Sequence, residues 1–349
     1  MNRPELTVII PTLNEEKTLR KTLENLTCQQ EVFMEVIVAD GGSSDTTRQI
    51  AAASSPAATV LNCSAGRSRQ LNTGASSANG ELLLFLHADS RFTSTRALRQ
   101  GIDELRRAAG PAGRLLVAGR FSLTFSGSNA GSPLGYRFFE LKARLGRPGC
   151  SHGDQGFLIP RDLFFLEGPF SETCELLAQT RFADNMREKG QWVLLTPEIV
   201  TSARRFEAEG LKERQTINAV IMACGAAGRD ELLAGIPELY REQAACGKLA
   251  AGPIVRRLRQ HVDGLPPDEQ RAFWENIADY VLENAWQAAF FLDVLLGLDL
   301  TWDGREARTP FLRLFDRYIY RRLDSRGGKS IARMLVRSWL RSMKSPPFR

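Results

Sequence analysis

The stretch Ala65–Ser90, AGRSRQLNTGASSANGELLLFLHADS, decides how the rest of the chain is read. Its second half holds a short apolar run, Glu81-Leu82-Leu83-Leu84-Phe85-Leu86-His87, which follows Asn79-Gly80 and stops at Ala88-Asp89-Ser90. A run this brief, without polar alternation, predicts a strand over Leu82–Leu86 buried on both faces of a parallel sheet. Asp89 then falls at the strand's carboxyl end, where open α/β sheets bind ligands and a carboxylate can hold a divalent cation against a diphosphate. The competing reading is a plain turn, because Asp and Ser favour turns through local hydrogen bonds. The first half predicts a helix from near Arg67 that faces a phosphate.

Toward the N terminus the same pattern recurs. Leu6-Thr7-Val8-Ile9-Ile10, stopped by Pro11, leads through Thr12-Leu13-Asn14-Glu15-Glu16 into a segment with Leu19, Leu23 and Leu26 on one face. Val36-Ile37-Val38-Ala39 leads through Asp40-Gly41-Gly42-Ser43-Ser44-Asp45 into a helix over Thr46–Ala53, and a third strand is expected at Ala58–Asn62. About four βα-type units predict a parallel, doubly wound sheet. Gly41-Gly42 lets the backbone approach a ligand closely, Asp40 can accept hydrogen bonds from a base or ribose, and Asp45 reads as a helix cap. No Gly-x-Gly-x-x-Gly or Gly-x-x-x-x-Gly-Lys-Ser/Thr occurs, which disfavours a dinucleotide dehydrogenase and a P-loop enzyme.

These residues carry a family resemblance. Val8–Glu15 resembles the opening motif of family 2 glycosyltransferases of the GT-A fold, and Val36–Thr47 resembles their second strand and loop. Gly66-Arg67-Ser68-Arg69-Gln70-Leu71-Asn72-Thr73-Gly74-Ala75, followed by Leu84–Asp89, is similar to one bacterial subgroup, the radical-SAM/selenodomain-associated transferases. Gly153-Asp154-Gln155-Gly156 and Thr201–Phe206 are similar to later motifs of that subgroup, so the likeness covers Leu6 to about Gly210. It implies an α/β GT-A (Rossmann-like) mostly parallel sheet flanked by helices in residues 1–210, with an all-α appendage in 211–349. It also implies a nucleotide-diphosphate sugar donor, a Mg²⁺ or Mn²⁺ ion, an unknown acceptor and an inverting outcome. Pro11, Thr12, Asn14, Glu15, Asp40 and Gly42 inherit contacts to base and ribose, Arg67 and Arg69 a phosphate- or base-facing helix, and Asp89 the metal position of an Asp-x-Asp motif. His87 and Ala88 fill the two places before Asp89, and Arg204-Arg205 falls where the subgroup closes a loop over the diphosphate.

The acceptor half departs from the family. A strand is expected at Gly119–Phe125, a helix at Pro133–Arg147, and a polar turn Cys150–Gln155 that brings Asp154 and His152 near the cleft. The family takes its general base from a Glu-Asp pair at the start of a helix, and here that pair falls on Ala178-Gln179. Gln179 cannot accept a proton, and loss of a base can cost around 10²- to 10⁴-fold in rate. The carboxylate is then supplied by Glu175 or Glu172, or by Asp154. Alternatively the acceptor is itself acidic and needs no base, or the protein binds nucleotide sugars without transferring.

The 349 residues suffice for one to three domains, and the net charge of +6 is unevenly spread. From Arg305 onward thirteen basic residues face three acidic ones. Six scattered cysteines without a Cys-x-x-Cys pair, and no secretory signal after Met1, suggest a reducing cytoplasm. No run of about 18 uncharged apolar residues exists; Ala285–Leu300 is interrupted by Asp293 and Gly297. Beyond Gly210, helices are expected at Leu211–Cys224, Arg229–Cys246, Pro253–His261, Pro267–Leu296, Pro310–Leu323 and Ser330–Met343. In the last, Arg333, Arg337 and Arg341 lie on one face and Ile331, Leu335, Trp339 and Met343 on another. A basic amphipathic helix within Ser330–Arg349 suits an anionic membrane surface at the inner face of the membrane, or a helix docked on its own protein with solvated arginines. No nucleic-acid-binding module is recognisable.

Overall fold

Short β-branched and leucine-rich runs set the framework in the computed structural model of the chain, which is described over residues 3–54, 58–110, 116–127, 133–234, 236, 251–298 and 309–342. Eight strands are β1 Leu6–Thr12, β2 Met34–Asp40, β3 Thr59–Asn62, β4 Leu82–Phe85, β5 Arg91–Phe92, β6 Val117–Ser126, β7 Phe157–Pro160 and β8 Gln191–Ser202. They form one sheet in the order β3-β2-β1-β4-β7-β6-β8-β5. The first four pair in parallel, with Thr12 opposite Asp40 and Asp40 opposite Asn62, so their carboxyl ends share one edge. Beyond β4 the sheet is mixed: β7 runs antiparallel to both β4 and β6, β5 antiparallel to β8, and β6 parallel to β8. The sheet is thus mostly parallel but not the wholly parallel one that four βα units suggest.

Strand β8 runs through Pro197 without a break. Its pairing with β6 slips between Phe121 and Ser122, jumping from Leu195 to Glu198. Pro197 lies in that slip, where a residue without an N–H costs no ladder hydrogen bond.

The helices of this part are α1 Leu19–Thr27, α2 Thr47–Ala52, α3 Arg67–Ser77, α4 Ala97–Ala109, α5 Pro133–Ala143, α6 Arg161–Leu166 and α7 Ala178–Lys189. The expected Pro133–Arg147 helix therefore ends at Ala143. Leu71 and Ala75 of α3 join Ile9, Ile37, Phe85, Phe164 and Phe170 in a buried cluster. Phe85 meets Phe170 edge-on at 4.9 Å between ring centroids, a preferred aromatic geometry.

The chain divides into two compact units, Met1–Ser128 with Phe139–Ala203, and Asn129–Phe138 with Arg204–Arg349. The second is helical: Arg204–Glu209, Leu211–Ala226, Asp230–Ala234, Ala251–Asp263, Pro267–Glu283, Trp286–Leu295, Pro310–Leu314, Tyr320–Leu323 and Arg326–Ser342. Phe138 supplies its core with ring contacts to Phe290 (5.7 Å) and Phe291 (5.8 Å). The expected Pro267–Leu296 helix is broken at Asn284, whose amide donates back to Tyr280 O (2.9 Å) and accepts from Gln287, local bonding that competes with helix continuation. Pro310–Leu323 is interrupted by a π turn over Phe315–Ile319. Asp293, which broke the apolar run in the sequence, is fully buried and accepts the Phe311 and Leu312 amides at 2.9 and 3.0 Å, capping the next helix. The ends of the expected Arg229–Cys246 and Ser330–Met343 helices lie outside the described residues.

The seating of α3 on the sheet depends on Gly74, where a Cβ would stand 2.4 Å from Ile9 Cγ2. Gly74→Ala is expected to lower stability by about 1–3 kcal/mol through overpacking, measured by urea denaturation. Combined with Ile9→Ala the loss should be less than additive.

Candidate functional site

Two loops at the carboxyl ends of β1 and β2 are laced together by side chains. Asn14, whose φ is +56°, accepts the Ser44 amide at 2.9 Å, while its own amide donates to Ser43 Oγ at 2.9 Å. Glu15 N–H donates to Thr47 Oγ1 at 2.8 Å, and Asp45 caps α2 by accepting the Thr47 amide at 3.0 Å. Asp40 is fully buried: Oδ2 accepts the amides of Gly42 (3.1 Å) and Ser43 (2.9 Å), and Oδ1 accepts the hydroxyls of Thr12 and Ser43. Gly42 has φ +91°, a conformation side chains rarely adopt. Asp40 therefore organises the loop from within, and its acceptor positions are occupied by the protein's own donors.

Helix α3 ties these loops to the Asp89 turn. The buried amide of Gln70 donates to Thr12 O (2.8 Å) and Ala39 O (2.7 Å), one carbonyl from each strand end. One turn earlier, Arg67 Nη1 donates to His87 Nε2 at 2.8 Å. A guanidinium has no lone pair to offer, so this imidazole accepts and is neutral. Ala88 O is fixed by Thr22 Oγ1 (2.8 Å), and Asp89 Oδ1 accepts from Thr201 Oγ1 of β8 (3.4 Å). Arg69 points elsewhere, to Glu172 at 3.3 Å, which also accepts from Asn72 at 3.1 Å.

The carboxylates expected to act on the acceptor have different surroundings. Asp154 lies in a single 3₁₀ turn, Gly153–Gln155, pinned by the Gln155 amide donating to Cys150 O at 3.0 Å. Its Oδ1 is buried without a hydrogen-bond partner. Burial pushes its carboxyl up to about 6, opposed by the nearby Arg67 charge and assisted by Asp89. Glu175 is held at the start of α3: its carboxylate accepts the Arg67 amide, and a Cβ on Gly66 would meet its Oε1 at 2.4 Å. Burial raises the Glu175 carboxyl too, with that amide and Arg69 opposing.

Gln179 packs its amide against Gly153, next to Asp154. His152 Nδ1 shares a hydrogen bond of 3.0 Å with Thr180 Oγ1, and burial with the Lys142 charge lowers the imidazole to about 4. The structure thus gathers Arg67, His87, Asp89 and Asp154, and separately gathers Pro11, Thr12, Asn14, Glu15, Asp40 and Gly42. It sets Glu175 at the helix start and turns Arg69 to Glu172. Arg204 and Arg205 open the Arg204–Glu209 helix of the second unit rather than a loop.

Sequence reasoning missed Gln70 and Lys142. A polar residue between Arg69 and Leu71 on an amphipathic helix could have marked Gln70 as inward-facing; nothing local marks Lys142.

For a divalent cation, the donor expected from sequence is Asp89, a hard oxygen ligand of the kind Mg²⁺ and Mn²⁺ take. Among the described residues no group of three or more His, Cys, Asp or Glu side chains is gathered to hold an ion by itself. Phosphate oxygens and water would complete such a shell, which is how Mg²⁺ is commonly bound.

The raised Asp154 carboxyl has a stability consequence. Its folded value of about 6 exceeds the ordinary 3.8, so the folded state binds the extra proton. Stability from this group is complete below about pH 4 and is lost as pH rises through about 6. Asp154→Asn removes that loss: relative to wild type it should gain on the order of 2–3 kcal/mol more at about pH 7.5 than at about pH 4, read from urea midpoints at both pH values.

Comparison with known proteins finds partial likenesses. The 4,4'-diaponeurosporenoate glycosyltransferase of Staphylococcus haemolyticus is 36% identical over 110 residues, 29% of this chain and 28% of the relative. The chain spans only 28% and 20% of the curated relatives it matches. Among solved structures, S. aureus TarS 1-349 in complex with UDP superposes with a TM-score of 0.50 at 15% identity, covering 98% of this chain and 93% of that one. The mannosyltransferase PcManGT from Pyrobaculum calidifontis, in complex with GDP-Man and Mn²⁺, gives 0.47 at 18% identity, covering 97% and 88%. Residues 7–146 match the model of the Glycosyl transferase family 2.

Proposed function

We propose that the chain transfers a sugar from a nucleoside-diphosphate donor to an acceptor nucleophile with inversion, and that Asp154 is the general base. One observation carries this reading: Asp154 has a desolvated, unpartnered carboxylate oxygen within electrostatic reach of Arg67 and Asp89. A base with a value near 6 is largely ionised at neutral pH yet still basic enough to take a hydroxyl proton as the oxygen attacks. The family 2 match over residues 7–146 supports the donor class.

In this scheme Asn14, Glu15, Asp40 and Gly42 shape the nucleoside side through the two laced loops, while Pro11 and Thr12 close the end of β1. Arg67 lies at the start of α3, where a guanidinium stabilises charge that develops on the departing diphosphate. Asp89 would hold Mg²⁺ or Mn²⁺, which when bound neutralises the diphosphate. His87 stays a neutral hydrogen-bond acceptor that orients Arg67, and Ala88 keeps Asp89 in place through its carbonyl. Glu175 acts by capping α3 rather than by taking a proton.

The rival reading, a nucleotide-sugar binder without transfer, rests on Gln179. It requires that no carboxylate face the acceptor, whereas Gln179 packs beside one.

Thermal shift with UDP and Mn²⁺ should raise the melting temperature, and Asp89→Ala should remove the metal-dependent part; no shift with any common nucleoside diphosphate would sink the donor assignment. In a transfer assay with the responding nucleotide sugar, Asp154→Asn should cost about 10²- to 10⁴-fold in kcat. Glu175→Gln should retain most of kcat and lower stability by about 1 kcal/mol. The reverse ranking would move the base to Glu175, and undetectable wild-type transfer alongside tight nucleotide binding would favour the binder.

A further inference from the structure

The last helix faces the opposite way from its sequence pattern. Its basic side is turned onto its own protein: Arg333 pairs with Glu275 at 2.8 Å, Lys329 with Asp279 at 2.9 Å, and the Arg337 guanidinium lies 5.1 Å from the centre of the Trp274 ring. Ala332 and Val336 are buried beside these contacts. The other side leaves Ile331, Met334 and Leu335 exposed at 56%, 63% and 59%. Spaced i, i+3 and i+4, they form one apolar stripe.

A second apolar surface precedes it in the chain. Leu314, Tyr318 and Ile319 are exposed at 48%, 53% and 40%, across and beside the π turn. Arg313, Arg317, Arg321 and Arg322 are exposed among them, against the single acid Asp316. The Arg317 guanidinium lies 5.3 Å from the Tyr318 ring centre. The Tyr320–Leu323 turn packs on the Arg326–Ser342 helix, so the two surfaces belong to neighbouring elements. Large apolar side chains clustered this way on a protein surface mark an interaction site.

We propose that the helical unit docks on an anionic phospholipid surface through these two segments, with the apolar side chains entering the interface and Arg317, Arg321 and Arg322 meeting lipid phosphates. Charge selects this occupant. A second copy pairing through the same patch would set these arginines against their own counterparts, since a two-fold interface is self-complementary. An anionic bilayer offers apolar depth and negative charge together, and tyrosine is enriched at that boundary. Among the described residues no helix is long and apolar enough to cross a membrane, so the unit lies on the surface rather than spanning it. Arg333 and Arg337, expected from sequence to make this contact, are committed instead to Glu275 and Trp274.

The test is cosedimentation of the full chain with phosphatidylcholine vesicles and with vesicles containing phosphatidylglycerol. Binding is expected to the anionic vesicles alone and should weaken as salt is raised. Replacing Arg317, Arg321 and Arg322 together by Glu should cut partitioning by about a hundredfold. Replacing Ile331, Met334 and Leu335 together by Ser should cut it by at least about tenfold. Both variants should keep the wild-type melting transition and UDP response, which separates loss of docking from loss of the donor site. Should a triple variant lose its melting transition, the single changes Arg321→Glu and Met334→Ser at exposed positions carry the same test. Equal binding to neutral vesicles, no binding to anionic ones, or binding unchanged by both variants overturns the proposal. A concentration-dependent dimer abolished by Met334→Ser would assign the face to a second copy instead.

Discussion

Two hydrogen bonds from one side-chain amide hold the candidate site together. Strands of a twisted parallel sheet diverge at their carboxyl ends, and each carbonyl there has two lone pairs, so it can take a side-chain donor as well as a backbone one. Gln70 reaches from α3 to the carbonyls of Thr12 and Ala39, clamping β1 to β2 and fixing the helix over both. Everything else on α3 is then positioned: Arg67 meets His87, Asn72 bonds Phe170 of the following loop, and Gly74 lets the helix sit against Ile9. Thr12 O also accepts the Gly41 amide at 2.9 Å, so losing the Gln70 amide would undo the clamp between the strand ends, at about 0.5–1.5 kcal/mol per hydrogen bond.

The electrostatics follow from that clamp. Asp40 is consumed by the loop it organises; Asp89 and Asp154 gather near Arg67, and Glu175 accepts the Arg67 amide at the start of α3. Two acids so close would repel if both were fully ionised and unscreened. The fold tolerates them because Arg67 stands between them in charge and because Asp154 shifts toward its protonated form. Such an arrangement lowers stability at neutral pH, and buried, imperfectly paired charge of this kind gathers at sites that act on ligands.

Much of this was legible in the sequence. The βα rhythm of Leu6–Leu86 announced β1 to β4, and Asp89 at the end of an apolar run announced where β4 stops. Asp45 as a cap was visible because Asp at a helix start has a local reason. The illegible parts depend on partners distant in the chain. The antiparallel insertion of β7 is a matter of topology, and apolar strands of either direction look alike. Gln70 reads like any helix glutamine until two strand ends converge on it. The last helix shows the limit most clearly: its two faces were correctly separated, but which one meets protein depended on Glu275, Asp279 and Trp274, some 50 to 60 residues away.

Glu175 and Asp154 illustrate why a shifted carboxyl does not identify a base. Burial raises both, so desolvation alone would nominate either. Their partners separate them. Glu175 accepts a helix-start amide, so protonating it would forfeit a capping bond and removing it would loosen α3. Asp154 Oδ1 accepts nothing from the protein, and a buried lone pair without a donor is stabilised only when a ligand brings one. Under the proposed transfer, a hydroxyl arriving at that oxygen would supply the missing hydrogen bond and carry the proton to be removed. The packing of Gln179 follows the same electrostatics: its neutral amide against Gly153 adds no further negative charge beside Asp154 and Asp89.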